Sequence, residues 1–258
     1  MATRNNIDLE KFYTKSEVAK FCIEQLDLSS YERVIEPSAG NGSFSNQIEC
    51  EAYDLAPEND KIIKQDFFEF NTERGNILVI GNPPFGRQSN LAIKFINHAA
   101  LFAKTIAFVL PKSFSKESVI KRLDKHLHLK KEIELPKNSF YYKEEIFDIP
   151  CKFYIFEYSD IERKEPKKYK TTDFEFTTKE NADYSIRRVG FNAGKIEGLE
   201  VSKESHYFIK DKSKALDILS KINYSDALNT AGPKSLSKQE IIKEYERYKK
   251  NSTLYRKL

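Results

Sequence analysis

Residues 76–90 read NILVIGNPPFGRQSN. An apolar run, Ile77 to Ile80, climbs to Gly81 and breaks at Asn82, two prolines and Phe85. A short β-branched run bounded by turn residues predicts a buried strand. Its tip is not an ordinary turn. Pro83 disfavours helical backbone at Asn82, and Pro84 restricts Pro83 while fixing its own φ. The expected product is a rigid bend presenting two acceptors, the Asn82 side-chain oxygen and the Pro83 carbonyl. Two fixed acceptors suit a planar NH2 donor. The exocyclic amine of adenine or cytosine is conjugated with its ring and is a poor nucleophile. Gripping both hydrogens favours a pyramidal nitrogen whose lone pair can meet an electrophile, and Phe85 can stack on the ring. Asn82, Pro83, Pro84 and Phe85 are therefore the candidate catalytic residues, acting by orientation and preorganised electrostatics rather than by a strong base.

Working outward, RVIEP, EAYDL, TIAFVLP and FYIFEY are further strand-like runs through residue 158. Helical patterns lie between them. KSEVAKFCIEQL puts Val18, Phe21, Cys22 and Leu26 on one face, with Thr14 and Glu17 in capping-box spacing. NLAIKFINHAALFA is another. The alternation predicts an α/β fold with a mainly parallel sheet covered on both faces. In such sheets ligands bind at the carboxyl ends of the strands, which is where Asn82 falls.

A second constellation sits at neighbouring strand ends. In VIEPSAGNGSF, residues 34–44, a strand ends at Glu36 and Gly40 and Gly42 turn the chain into an expected helix. Glycines there let backbone approach a ligand closely. Asp54 closes the next strand, 18 residues after Glu36, where an acid can accept from ribose hydroxyls. Asp66 can take an adenine amine, and Phe67 beside it can stack on the ring. Turn, acid, and acid plus aromatic form a site for an adenosine-containing ligand.

The two motifs together bring out a resemblance. EPSAGNG resembles the cofactor motif, and NPPF the catalytic motif, of class I S-adenosylmethionine-dependent adenine-N6 methyltransferases. KFYTK (Phe12, Tyr13, Thr14) resembles the segment that precedes the cofactor motif and touches the methionine end. LPKNSF resembles the late motif whose phenylalanine, Phe140 here, packs on the target base. The motif order is similar to that of gamma-type DNA adenine methyltransferases, over residues 11–158. The resemblance implies a Rossmann-like sheet, S-adenosylmethionine as cofactor, no metal, and a nucleic-acid substrate. It implies a cofactor-binding set of Phe12, Tyr13, Thr14, Glu36, Pro37, Ala39, Gly40, Asn41, Gly42, Phe44, Asp54, Asp66, Phe67 and Asn82.

Composition sets the rest. The 258 residues are 40% hydrophobic and 32% charged, enough for a core and a solvated surface. No apolar run approaches the ~20 residues of a membrane span. Three scattered cysteines and a start without the basic-then-apolar pattern of a secretory signal predict a reduced, cytoplasmic protein. The four histidines, His98, His126, His128 and His206, have no placement for metal or catalysis. Charge is uneven. Residues 1–159 carry 21 Lys/Arg against 23 Asp/Glu, and residues 160–258 carry 22 against 16, a balance of +6. The expected organisation is a catalytic domain at 1–159 and a small basic α+β appendage at 160–258, where the family keeps target recognition. DNA is the favoured partner, gripped by Arg87 beside the clamp and by Arg187, Arg188 and Lys195 around the Gly190–Gly194 bend. RNA is the alternative substrate. A glutamine amide in a protein, or a silent nucleic-acid-binding subunit, are the further alternatives.

Overall fold

The computed structural model describes residues 12–142, 145–165, 167–225 and 234–255, without the side chains of residues 88 and 253–255. The chain divides into two compact units, residues 1–165 and 166–258.

The first unit runs β1 (Tyr13–Thr14), α1 (Ser16–Ile23), β2 (Arg33–Glu36), β3 (Glu51–Asp54), β4 (Ile63–Lys64), β5 (Ile77–Gly81), α2 (Asn90–Ala99), β6 (Thr105–Pro111), α3 (Glu117–Ile120), β7 (Leu127–Glu134), β8 (Phe140–Tyr142), β9 (Glu145–Phe147) and β10 (Cys151–Tyr158). Seven strands form one sheet in the order β4-β3-β2-β5-β6-β10-β7. The first five are parallel to their neighbours, and β10 lies antiparallel between β6 and β7. This is the doubly wound α/β, class I Rossmann-like architecture that the alternating pattern predicts.

Every residue of β5 and β6 is buried, because helices and loops cover both faces of the sheet. The two-residue period of a strand sends Ile77 and Val79 into one core and Leu78 and Ile80 into the other. Ile93, Phe95 and Ile96 of α2 pack in the first core. Val18, Ala19 and Cys22 of α1 pack in the second.

Two local expectations fail. No helix follows Gly42: residues 40–47 are successive turns, tied by Gly42 N donating to Ala39 O (2.7 Å) and Asn46 N to Gly42 O (3.0 Å). The stretch before β3 is simply too short to wind a helix and return. The Thr14–Glu17 box also does not form. Thr14 is held extended in β1, paired with Phe140 of β8, and Lys15 takes the N-cap position without a side-chain bond.

The second unit has four strands, β11 (Phe174–Thr177), β12 (Tyr184–Arg187), β13 (Ile196–Glu197) and β14 (His206–Asp211), ordered β11-β14-β12-β13 and all antiparallel. A single helical turn, α4 (Leu216–Leu219), and a long helix, α5 (Lys238–Tyr255), complete it. Phe174, Tyr184, Ile186, Ile209, Leu219, Ile241 and Tyr245 form its core. At its edge the Asp173 carboxylate accepts from Tyr245 Oη (2.7 Å) and pairs with Lys249 (2.6 Å), which holds its pKa low.

A capping box does form at the start of α5. Glu240 N donates to Ser237 Oγ (3.2 Å), and Ser237 N donates to Glu240 Oε2 (2.7 Å). Ser237→Ala is expected to cost about 1 kcal/mol. A lowered urea midpoint with an unchanged slope would register it; an unchanged midpoint would show that α5 starts without this cap.

Candidate functional site

The carboxyl ends of β2, β3 and β5 open onto one cavity of about 210 Å³. Glu36, Pro37, Ser38, Ala39, Gly40, Asn41 and Phe44 line it from the turn after β2, Asp54 from the end of β3, Asp66 from the loop after β4, and Asn82, Pro83, Pro84 and Phe85 from the tip of β5. Phe12, Tyr13 and Thr14 close another side. Residues far apart in sequence thus meet because parallel strands all end on the same edge.

The turn after β2 is braced from below. Gly40 N donates to Asp54 Oδ2 and Ala56 N to Asp54 Oδ1, both at 2.8 Å. Asp54 therefore organises the turn, while its remaining lone pairs border the cavity. Gly40 stands at φ +54°, and a Cβ there would lie 3.1 Å from Tyr13 Cε1. The Tyr13 hydroxyl in turn donates to Glu58. Gly42 shapes the turn without lining the cavity.

Glu36 is 2% exposed at the end of β2. Ser45 N donates to its Oε2 at 2.9 Å. Burial pushes its pKa up to about 8; the Ser45 bond opposes this and the nearby Asp54 charge adds to it.

At the tip of β5, Asn82 Nδ2 donates to Phe12 O (2.9 Å), and Ser38 Oγ donates to Asn82 O (3.2 Å). The amide is fixed by its nitrogen. Its oxygen, Oδ1, is buried with no hydrogen-bond partner among the described residues, and so is Thr14 Oγ1. A buried acceptor without a donor costs about 1–3 kcal/mol, and both residues line the cavity. No described peptide bond is cis.

Two sequence-derived roles need correction. Phe67 sits on the cavity wall, but its ring is 2% exposed and stacks on Phe95 (5.2 Å) within the first core. The reason is local. Asp66 caps the 3-10 turn Phe67–Glu69 by accepting from Phe68 N (2.9 Å), which turns Phe67 inward and leaves Phe68 on the rim, 40% exposed and lining the cavity. Phe68 and Leu55 are the apolar rim that sequence reasoning missed; the doubled phenylalanine was the available signal. Phe140 is fully buried in the second core and does not line the cavity. Its pairing with Thr14 in the β1–β8 ladder points it inward, so it offers no face to a base, whereas Phe85 does line the cavity. Arg87, the expected phosphate contact beside the clamp, is exposed in a 3-10 turn.

The remaining basic candidates belong to the second unit and are partly engaged there. Arg187 and Lys195 each stand 3.7 Å from Glu197. Arg188 donates to Glu204 O and lies over the Tyr207 ring. Among the described residues no helix is long and apolar enough to cross a membrane, and no His/Cys/Asp/Glu cluster is arranged to hold a metal.

Comparisons with known proteins follow this geometry. No curated protein matches the chain. Similar solved structures include TrmN from Thermus thermophilus (13% identity, TM-score 0.41, 56% of this chain and 49% of that one). Others are the 23S rRNA methyltransferase ErmE (12%, 0.41, 60% and 72%) and the M protein of the type I restriction enzyme EcoKI (13%, 0.41, 95% and 71%). The chain thus spans about half the length of the Thermus protein. A family model described as the EDM2 methyltransferase-like domain matches residues 16–149, the stretch holding strands β2 to β9, the glycine turn and the Asn82 tip, and more than half of the chain. The chain belongs to the EDM2 methyltransferase-like domain family.

Proposed function

We propose that this protein transfers a methyl group from S-adenosylmethionine to the N6 amine of adenine in a nucleic acid, with DNA ahead of RNA. The observation that carries the proposal is the partnerless Oδ1 of Asn82, fixed at the tip of β5 and bordering the cavity. The cofactor supplies an electrophilic methyl on its sulfonium. The donor set suits it: Glu36, Asp54 and Asp66 offer acceptors, the Gly40 turn permits close backbone approach, and the Phe68 ring offers a flat apolar surface.

Asn82 Oδ1 and the Pro83 carbonyl accept the two amine hydrogens, and Phe85 holds the ring in register. The clamp orients the nitrogen and stabilises the charge that grows there; as the N–CH3 bond forms, the sulfur keeps the pair of the S–CH3 bond and leaves as a neutral thioether, and the methylated nitrogen gives its extra proton to solvent. In a duplex the base must leave the stack to reach it, at a cost of a few kcal/mol.

Gly40→Ala tests the cofactor half. The left-handed backbone costs a residue with a Cβ about 1–2 kcal/mol, and the new methyl presses on Tyr13. Weaker S-adenosylmethionine binding by roughly tenfold is expected, together with a lower unfolding temperature. Full affinity in calorimetric titration would place the cofactor elsewhere.

The decisive experiment is labelled-methyl transfer to a panel of duplex DNA, single strands, structured RNA and protein extract, followed by nucleoside and amino-acid digestion. N6-methyladenine from DNA is expected. Label in RNA alone would move the substrate to RNA, label in glutamine would overturn the nucleic-acid assignment, and failure to bind S-adenosylmethionine would mark a silent subunit.

A further inference from the structure

Among the described residues, the most exposed large apolar side chain is Phe191, at 87%. It stands in the tight loop between β12 and β13, with nearly all of its apolar surface open to solvent. The loop around it is fixed. Gly190 N donates to Lys234 O (2.8 Å), Ala193 N to Gly190 O (3.0 Å), Gly194 N to Arg187 O (2.7 Å) and Lys195 N to Asn192 O (3.0 Å). Val189 bridges Ser235, so residues 234–236 run beside the loop's base. Ala193 is buried, and a Cβ at Gly194 would meet the buried Tyr224 ring at 2.6 Å, so the chain is seated tightly on the unit's core. Phe191 is thus presented by a rigid support rather than left over from a floppy one.

The surroundings say what it is presented to. Lys234 Nζ lies 5.3 Å from the ring centroid. Lys195, 63% exposed and 3.7 Å from Glu197, follows on the same loop four residues after Phe191. Lys234 thus lies over one face of the ring and leaves the other open, in the part of the chain that carries the +6 balance. A flat apolar face with ammonium groups on the same loop and its neighbouring segment matches a nucleobase bordered by phosphates; a folded protein partner would instead need a wider apolar patch than one ring.

We infer that Phe191 stacks on a base of the nucleic acid, with Lys195 and Lys234 on the adjoining phosphates. The inference rests on the nucleic-acid substrate proposed above and adds a named contact in the second unit, where the basic residues alone gave only charge.

The test measures binding of 2-aminopurine-labelled single-stranded and duplex DNA and RNA over a salt series. Phe191→Ala is expected to weaken binding roughly 5- to 100-fold and to remove the fluorescence quenching, with an unchanged salt slope, because no charge is lost. Phe191→Trp keeps affinity and quenching, which separates stacking from misfolding. Lys195→Ala and Lys234→Ala each lower the salt slope by about one. If the parent protein binds nucleic acid and Phe191→Ala binds equally well, the stacking contact is wrong while the substrate proposal stands. If the parent protein binds no nucleic acid in any form, both fall together.

Discussion

Asn82→Ala is expected to lower methyl transfer by roughly 10²–10³-fold, the usual range when one preorganised polar group is removed from a reacting centre. The loss should appear in kcat, with S-adenosylmethionine affinity nearly intact, because in the proposed clamp the amide oxygen accepts from the substrate's amine. The fold should hardly notice. The substitution gives up one hydrogen bond from Nδ2 to Phe12 O, worth about 1 kcal/mol. It also removes a buried acceptor that no described residue satisfies, which recovers a similar amount. Unfolding temperature within a few degrees of the parent is therefore expected. Asn82→Asp is the instructive companion. It keeps an oxygen at the clamp but sets a second one against the Phe12 carbonyl, so it should be the less stable of the two. Undiminished single-turnover rates in Asn82→Ala would remove the clamp from the mechanism.

Glu36→Gln is expected to flatten the dependence of stability on pH and to stabilise the protein above pH 8. The carboxyl pKa is raised by burial from 4.5 to about 8 in the folded chain. Below 4.5 both folded and unfolded chains hold the proton, and the neutral buried acid costs little. Between those values only the folded chain holds it, so stability falls as pH rises, by several kcal/mol across the window on the scale of about 1.4 kcal/mol per pKa unit. Above the folded value the fold carries a buried charge. Glutamine keeps the shape and the acceptor for Ser45 N but has no proton to lose. Urea unfolding of both proteins at pH 5, 7 and 9 checks this; parallel profiles would show that Glu36 titrates normally. A sulfonium cation placed in the cavity would also favour the ionised form. Cofactor binding near neutral pH should then release a proton, and calorimetry in buffers of different ionisation enthalpy would detect it in the parent and not in Glu36→Gln.

The central strands of the sheet were legible because buried parallel strands must be apolar throughout, and Ile77–Ile80 and Ile106–Leu110 are. The last strand of the sheet was not. Leu127–Glu134 reads LHLKKEIE, and as an edge strand it leaves Lys130, Lys131 and Glu132 exposed, so charge masks its period. Which residues meet at the cavity followed from the rule that ligands bind at strand ends. Which way a side chain turns did not. Phe67 and Phe68 are neighbours of one type, and only the Asp66 cap decides that the first faces the core and the second the rim. Phe140 fits a motif in sequence, yet its pairing with Thr14 buries it. The spare oxygen of Asn82 was foreseen as an acceptor. That its nitrogen is already committed to Phe12 depends on a contact across 70 residues, which no local pattern encodes.

The position of β10 has a consequence for how the protein is made. It is the final strand of the first unit in chain order, yet it occupies an interior place, with β6 on one side and β7 on the other. Until residue 158 has left the ribosome, at ~5–20 residues per second, the inner border of β6 stands as an open ladder of amides and carbonyls on an apolar strand. A nascent chain stalled before Cys151 therefore displays a surface primed for self-association. Chaperone capture should concentrate in that interval of synthesis and cease once the closing strand slots in.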